Sequence, residues 1–334
     1  MERMSLFLAR SVSAIALLAL AAVYAWAQAP QSGPPPASPA DRGLVLVELF
    51  TSEGCPHCPE ADALLEKMYS EQPIEGAQII ALEEHVDYWD RPAWVDHFSS
   101  PAFTARQQNY ADAMDLDSLY TPQMVVDGLV EFVGNNAGRA RATISALGRA
   151  PLPAVRIAAA PAPPDAKTAP VGPRVRLEAR GLAPATLAEV YLVLAEDKLF
   201  SRVSGGHNAG ENWPHSSVAR WVRLVGRLPA GSKELSLIAT FEPPQAGWRV
   251  ENLRLIAFVQ ETESQRIVAV GAAGLADALP GFRGGARPAS SRALPGLPGR
   301  VPKTAAGSSN ASWTLYPWSA SEAPTAAAQA EGQR

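Results

Sequence analysis

Residues 44–59 read Leu44-Val45-Leu46-Val47-Glu48-Leu49-Phe50-Thr51-Ser52-Glu53-Gly54-Cys55-Pro56-His57-Cys58-Pro59, and EADALLEKMYS follows from Glu60 to Ser70. The first seven residues are an apolar, β-branched run, as in a strand buried on both faces of a sheet. Thr51 to Gly54 is turn-forming. Ala61, Leu64, Leu65 and Met68 then recur at helical spacing, which predicts a helix to about Ser70 with Cys55 at its N-terminus. A strand that feeds a helix through a pair of thiols decides the fold class as α/β.

Working outward, Gln78 to Leu82 reads as a second buried strand, leading into His85-Val86-Asp87-Tyr88-Trp89-Asp90. Pro101 to about Met114 reads as a helix, and Tyr120-Thr121-Pro122 stops it. Gln123 to Asp127 and Val130 to Val133 flank Asp127-Gly128, the dipeptide of a two-residue hairpin turn. Asn135 to Gly148 closes the unit as a helix opened by Asn and ended by Gly. Residues 43–150 therefore form an α/β domain of ordinary size.

Past Pro151 the pattern turns to alternation. Val155 to Ala159, Arg174 to Arg180, Ala188 to Leu194, Val218 to Val225, Glu234 to Phe241, Leu253 to Gln260 and Arg266 to Gly271 predict strands at the spacing of a sandwich. A second, all-β domain over 151–280 is expected. Residues 281–334 are rich in Gly, Pro, Ala and Ser and cannot bury enough surface to offset the entropy of ordering, so a disordered tail is expected there. At the other end, Arg3 and Arg10, the apolar run Val12 to Val23 and Ala25-Trp26-Ala27 predict a cleaved secretory signal over 1–27, then a linker over 28–42. The apolar run is shorter than the ~20 residues that span a bilayer, so no stable membrane span is expected after cleavage. A periplasmic or secreted protein follows, in a compartment that tolerates disulfides.

The net charge of −4 leaves no basic stripe for a phosphate backbone, which excludes nucleic-acid binding. The only two cysteines stand two residues apart. A disulfide closing so short a loop removes little entropy from the unfolded chain, so reactivity explains the pair better than stability. A dithiol at a helix N-terminus is expected to have one exposed sulfur, where free N–H groups and the dipole favour a thiolate, which makes Cys55 the attacking sulfur and Cys58 the resolving one. Of the two intervening residues, His57 is expected to bring positive charge to Cys55, and Pro56 flanks the substrate. The alternatives are an inert disulfide, or half of a copper or zinc site completed by one of the five histidines; a closed zinc site needs four ligands, and no second cysteine pair exists. No cofactor is expected.

Thr121-Pro122 is the second signal, because a Pro opening a strand cannot donate to the ladder. Glu48 is the third: a buried carboxylate of raised pKa suits a proton acceptor for the resolving thiol, although its odd offset of seven from Cys55 points the side chain to the other face unless the loop holds an extra residue. Tyr88 and Trp89 lie at the C-terminal end of the second strand, the edge on which open α/β sheets build sites, as a wall of the substrate groove or as a cap on the core. Gly205 to His215 reads as a polar surface loop.

Residues 44–148 resemble the thioredoxin superfamily. More narrowly, the chain is similar to a family of bacterial secreted proteins of uncharacterised function with a thioredoxin-like domain, through VELFTSEGCPHCPEADALL at Val47 to Leu65, HVDYWD at His85 to Asp90, PAFTARQQNY at Pro101 to Tyr110, YTPQMVVDG at Tyr120 to Gly128 and HNAGENWPHSSVAR at His207 to Arg220. The resemblance implies a thioredoxin-like domain ahead of the all-β sandwich-like one, a reactive Cys55 with Cys58, and a cis Pro122 facing them with the Thr121 backbone free to pair with substrate. CPHC is also similar to the periplasmic dithiol oxidase, whose inserted helical domain has no counterpart here. The expected function is thiol–disulfide exchange with protein or small thiol substrates, the partners being thiols or disulfides of exported proteins.

Overall fold

The computed structural model describes residues 42–161, 172–245 and 248–282. The expected signal segment, nearly all of the linker and the tail past 282 lie outside the described residues.

Strand β1 (Gly43–Thr51) pairs in parallel with β2 (Ala77–His85) along its whole length, and helix α1 (Cys58–Glu71) connects them. Alternation along β1 sorts its side chains. Val45, Val47 and Leu49 pack against Ala61, Leu65 and Met68 of α1, whereas Leu46 and Phe50 face the other way, toward Phe103 and Tyr110 of α2 (Pro101–Ala113). Leu65 is buried in the first of these cores, where truncation to Ala costs about 2–5 kcal/mol. Helix α1 carries Pro59 in its first turn, where the missing N–H has no partner to lose, and ends at Gln72 in the left-handed region, whose N–H bonds Met68 O at 3.1 Å. Helix α2 is capped by Ser100, whose hydroxyl accepts from the Ala102 N–H.

Strands β3 (Gln123–Val126) and β4 (Val130–Val133) form the expected hairpin. Asp127 and Gly128 both have positive φ, as a turn of this kind requires, but Leu129 also stays out of the ladder, so the loop has three residues rather than two. Helix α3 (Ala137–Leu147) begins at Asn136, whose Oδ1 accepts from the Arg139 N–H at 3.0 Å, and ends at Gly148.

Beyond it come β5 (Arg156–Ala159), β6 (Arg174–Arg180), β7 (Ala188–Glu196), β8 (Leu199–Arg202), β9 (Asn212–His215), β10 (Val218–Leu228), β11 (Glu234–Thr240), β12 (Leu253–Glu261), β13 (Ile267–Gly274) and a short α4 (Leu275–Ala278). All seven expected strands are present, and β8 and β9 add to them. They do not build a separate sandwich. One mixed sheet runs β13-β12-β7-β10-β2-β1-β3-β4, so the boundary expected at 150 divides a helix-bearing region from a strand-rich one without dividing the sheet. The junction is the parallel pairing of Val218 with Glu83, reinforced by Glu83 N–H to Ser217 O at 2.9 Å. Strands β7 and β12 are apolar and buried on both faces, the pattern of central strands rather than of a sandwich with one wet face. Leu192, Leu194, Leu255 and Ala257 on one face meet the small sheet β11-β6-β5 through Val175, Leu177 and Leu235; Val193, Ala195, Ile256 and Phe258 on the other join Leu46, Leu82 and Phe103.

Candidate functional site

Cys55 and Cys58 are free thiols in the turn between β1 and α1. The first helical residue is Cys58 rather than Cys55, which sits one turn ahead and accepts the Cys58 N–H on its carbonyl at 3.3 Å. The Cys58 thiol donates to the Cys55 sulfur; the Thr121 hydroxyl and the His57 and Cys58 amides add their bonds; together they outweigh burial and lower the Cys55 pKa to about 6. Burial pushes Cys58 the opposite way, well above an ordinary thiol, with the Cys55 sulfur and the Asp62 carboxyl adding to it. Such a pair can set a thiolate beside a protonated thiol.

The Thr121–Pro122 bond is cis, as the resemblance implied, and Pro122 is buried. Thr121 is oriented by Trp89, whose indole Nε1 donates to its Oγ1 at 2.6 Å. Trp89 also packs against the cysteines. Tyr88 reaches Gln107 Oε1 at 3.2 Å, and burial raises its pKa to about 12. Pro56 and His57 stand exposed at the rim.

Three expectations need correction. His57 acts on Cys55 through its backbone N–H, because the imidazole is turned out to solvent. Glu48 is no relay for Cys58: odd spacing puts it on the face away from α1, where it accepts from Arg106 Nε at 2.8 Å and Tyr110 OH at 2.5 Å. The attacking sulfur is not exposed, since both cysteines have 0% accessibility. Val203, Trp213, Trp89 and Trp94 enclose them.

The cover comes from the strand-rich region. The β8–β9 ribbon carries Val203 and Trp213, and between them Asn208 Nδ2 donates to Glu53 O at 2.8 Å and Cys55 O at 2.9 Å. The stretch read as a surface loop is a cap on the dithiol. Gly205 touches Ala93 so closely that an added Cβ would lie 2.0 Å from its carbonyl oxygen.

The acid beside Cys58 is Asp62, which sequence reasoning missed although it lies one helical turn beyond the cysteine. Thr51, on the α1 face of β1, bonds toward Cys58 and donates to Asp62 Oδ1 at 2.7 Å. Burial and the Glu83 charge raise the Asp62 pKa well above the carboxylate range, against the pull of His215 and His85. Those three residues form a buried cluster with Glu53 and Asp96. Burial opposes charge on the histidines, yet Asp96 and Glu83 raise His85 well above its ordinary value, and Glu83 and Glu53 raise His215 to about 9. Among the described residues, this Glu83–His85–His215 group has the makings of a cation site, and it includes neither cysteine.

A family model described as "Protein of unknown function (DUF1223)" matches residues 46–260. The chain is also 29% identical over 90 residues to the thioredoxin of Methanocaldococcus jannaschii, a match covering 27% of this chain and 79% of that protein. Among solved structures, a protein from Agrobacterium tumefaciens aligns with a TM-score of 0.51 at 24% identity over 69% of this chain and 92% of its own, which shows a shared fold. HBP35 of Porphyromonas gingivalis gives a TM-score of 0.49 at 13% identity over 75% of this chain and 81% of that one.

Proposed function

Because the chain belongs to the DUF1223 family, whose description names no reaction, we propose from the geometry of its site that it is a thiol–disulfide oxidoreductase with a thioredoxin-like dithiol centre. The observation that carries this is the free Cys55–Cys58 pair at the start of α1, where bonds from the Cys58 thiol, the Thr121 hydroxyl and two amides lower the Cys55 pKa to about 6. At neutral pH the sulfur is mostly thiolate. It attacks one sulfur of a substrate disulfide, forming a mixed disulfide and releasing the other sulfur as thiolate. Cys58 passes its proton through Thr51 toward Asp62 and attacks the Cys55 sulfur, which forms the internal disulfide and releases the second substrate sulfur. Two electrons move from the dithiol to the substrate; the reverse sequence oxidises a substrate dithiol.

The weak similarity to an archaeal thioredoxin supports this reading. The basic, apolar and small-residue pattern of residues 1–27 supports action on thiols and disulfides of exported proteins. Among the described residues no helix is long and apolar enough to cross a membrane. Exchange requires the β8–β9 cap to swing off Cys55. Reduction of insulin and the redox equilibrium with glutathione test the proposal: exchange by the wild type and its loss in Cys55→Ser are expected. A wild type without exchange, or a fully active Cys55→Ser, overturns it.

A further inference from the structure

Behind the dithiol, three donor atoms converge on one point. His85 Nε2 lies 2.8 Å and His215 Nδ1 2.7 Å from the same oxygen, Glu83 Oε1, and the donor atoms all fall within 4.8 Å of one another. Glu83 and His85 share one face of β2, two residues apart, and His215 ends β9. The imidazoles are fully buried, and Glu83 almost so.

The outer partners of this trio point the same way. The ring nitrogen of His85 that does not face Glu83 is hydrogen-bonded to Asp96 Oδ2 at 2.7 Å, and that of His215 lies 3.3 Å from Glu53 Oε1, a charge contact without hydrogen-bond geometry. These carboxylates are themselves fixed. Asp96 takes the Glu53 N–H at 2.8 Å and the Phe98 N–H at 2.9 Å, and Glu53 Oε2 takes the Trp94 indole N–H at 3.0 Å. A histidine with one nitrogen on a carboxylate and the other aimed at a common centre is the usual arrangement around a metal ion, because the outer carboxylate sets the tautomer and strengthens the inner nitrogen as a donor. Phe98, edge-on to both rings, and Trp213, stacked on His215, shield the centre from water.

The charge of the cluster is compatible with such an ion. Four carboxyl groups, Glu53, Asp62, Glu83 and Asp96, are buried together with two imidazoles, and among the described residues no Lys or Arg forms an ion pair with any of the four. Asp62 Oδ2 has no hydrogen-bond partner at all. Uncompensated buried carboxylates cost several kcal/mol each, so the cluster calls for cationic charge, carried either by protons on the two imidazoles or by a metal ion in their place.

We propose that Glu83, His85 and His215 bind a divalent transition-metal cation of the zinc type. One divalent ion replaces the two imidazole protons shared with Glu83 Oε1, which leaves the charge of the cluster unchanged and the outer contacts of His85 with Asp96 and of His215 with Glu53 in place. Two imidazoles and a carboxylate are a donor set suited to zinc and its neighbours rather than to calcium or magnesium. Ligand bonds of about 2.0–2.1 Å put tetrahedral donors roughly 3.3 Å apart, so the trio has to open by about half an ångström. The ion would tie β2 to β9, and with it the base of the cap. The site is separate from the cysteines and does not depend on their redox role.

Titration of the reduced, chelator-treated full chain with zinc, and with cobalt as a spectroscopic stand-in, tests the proposal. One zinc ion per chain is expected in the wild type and equally in Cys55→Ser/Cys58→Ser. Binding should weaken at least about 100-fold in His85→Gln, His215→Gln and Glu83→Gln variants that stay folded by circular dichroism. Cobalt bound to the double-Cys variant should show ligand-field bands with no sulfur-to-metal charge transfer, a readout that needs no histidine variant to fold. No binding, or binding that vanishes with the cysteines and survives in the histidine variants, overturns the assignment.

Discussion

If the β8–β9 ribbon gates Cys55, the reactivity of that sulfur is set by how often the cap opens, and Asn208→Ala should make it react faster. Asn208 Nδ2 holds the cap down through two hydrogen bonds, 2.8 Å to Glu53 O and 2.9 Å to Cys55 O. At about 1 kcal/mol net for each bond, their loss favours the open state by about 2 kcal/mol. That is roughly a 30-fold rise in the open population at about 1.4 kcal/mol per factor of ten. When opening and closing are fast relative to chemistry, the observed rate follows that population. The assay is alkylation of the reduced protein by iodoacetamide at pH 7.5, where a thiol of pKa about 6 is already almost wholly thiolate, so the difference reports access and not ionisation. The wild type should react far more slowly than an open thiolate of the same pKa, and Asn208→Ala about 30-fold faster than the wild type, with the pH midpoint unchanged. A wild type that reacts at the open-thiolate rate, or an Asn208→Ala variant that matches it, would refute the gate.

The pH dependence of that alkylation should show a midpoint near 6. Since the folded-state pKa lies below the ordinary thiol value of 9.0, Cys55 stabilises the reduced protein fully above pH 9 and loses that contribution as pH falls through 6; at pH 7 it amounts to about 1.4 kcal/mol, readable as a drop in reduced-state denaturant stability from pH 8 to pH 5 that Cys55→Ser lacks. Asp62→Asn should leave the Cys55 midpoint nearly in place but slow release of the mixed disulfide about tenfold or more, measured by stopped-flow decay of a glutathione adduct; unchanged decay would remove Asp62 from the relay. Arg106→Met strands the buried carboxyls Glu48 and Glu84 and should cost about 3–5 kcal/mol of stability in urea melts, with the Cys55 alkylation midpoint unmoved.

The elements that carry the chemistry were legible because their signals are local. The β-branched run of β1, the helical spacing of Ala61, Leu65 and Met68, and the Asp127-Gly128 turn each specify a conformation over a few residues, and each is found where those residues place it. What failed was long-range. The seven strands after residue 150 alternate enough to suggest a free-standing sandwich, and nothing within any one of them says that β10 meets β2 at Val218. Residues 203–211 carry no periodicity, and β9 is only four residues long, so the cap is held by single contacts such as Asn208 that only the folded chain assembles. Asp62 was within reach, since a helix that starts at Cys58 puts it one turn away on a neighbouring face.

The two faces of β1 explain why Glu48 and Asp62 divide these tasks. Residues 45, 47, 49 and 51 look toward α1, so of the polar side chains on this strand Thr51 can reach the dithiol and Glu48 cannot. On the reverse face Glu48 neutralises Arg106, whose guanidinium also donates to Gln260 at 2.8 Å and lies over the rings of Phe258 and Tyr191, at 4.8 and 5.5 Å. Gln260, Phe258 and Tyr191 belong to β12 and β7. One face of the strand therefore supports the redox pair, and the other clamps the strand-rich region to the helix-bearing one. The same clamp fixes the sheet from which β8 and β9 emerge, so a defect on the Glu48 face would loosen the cap over Cys55 without touching any group that sets the charge on its sulfur.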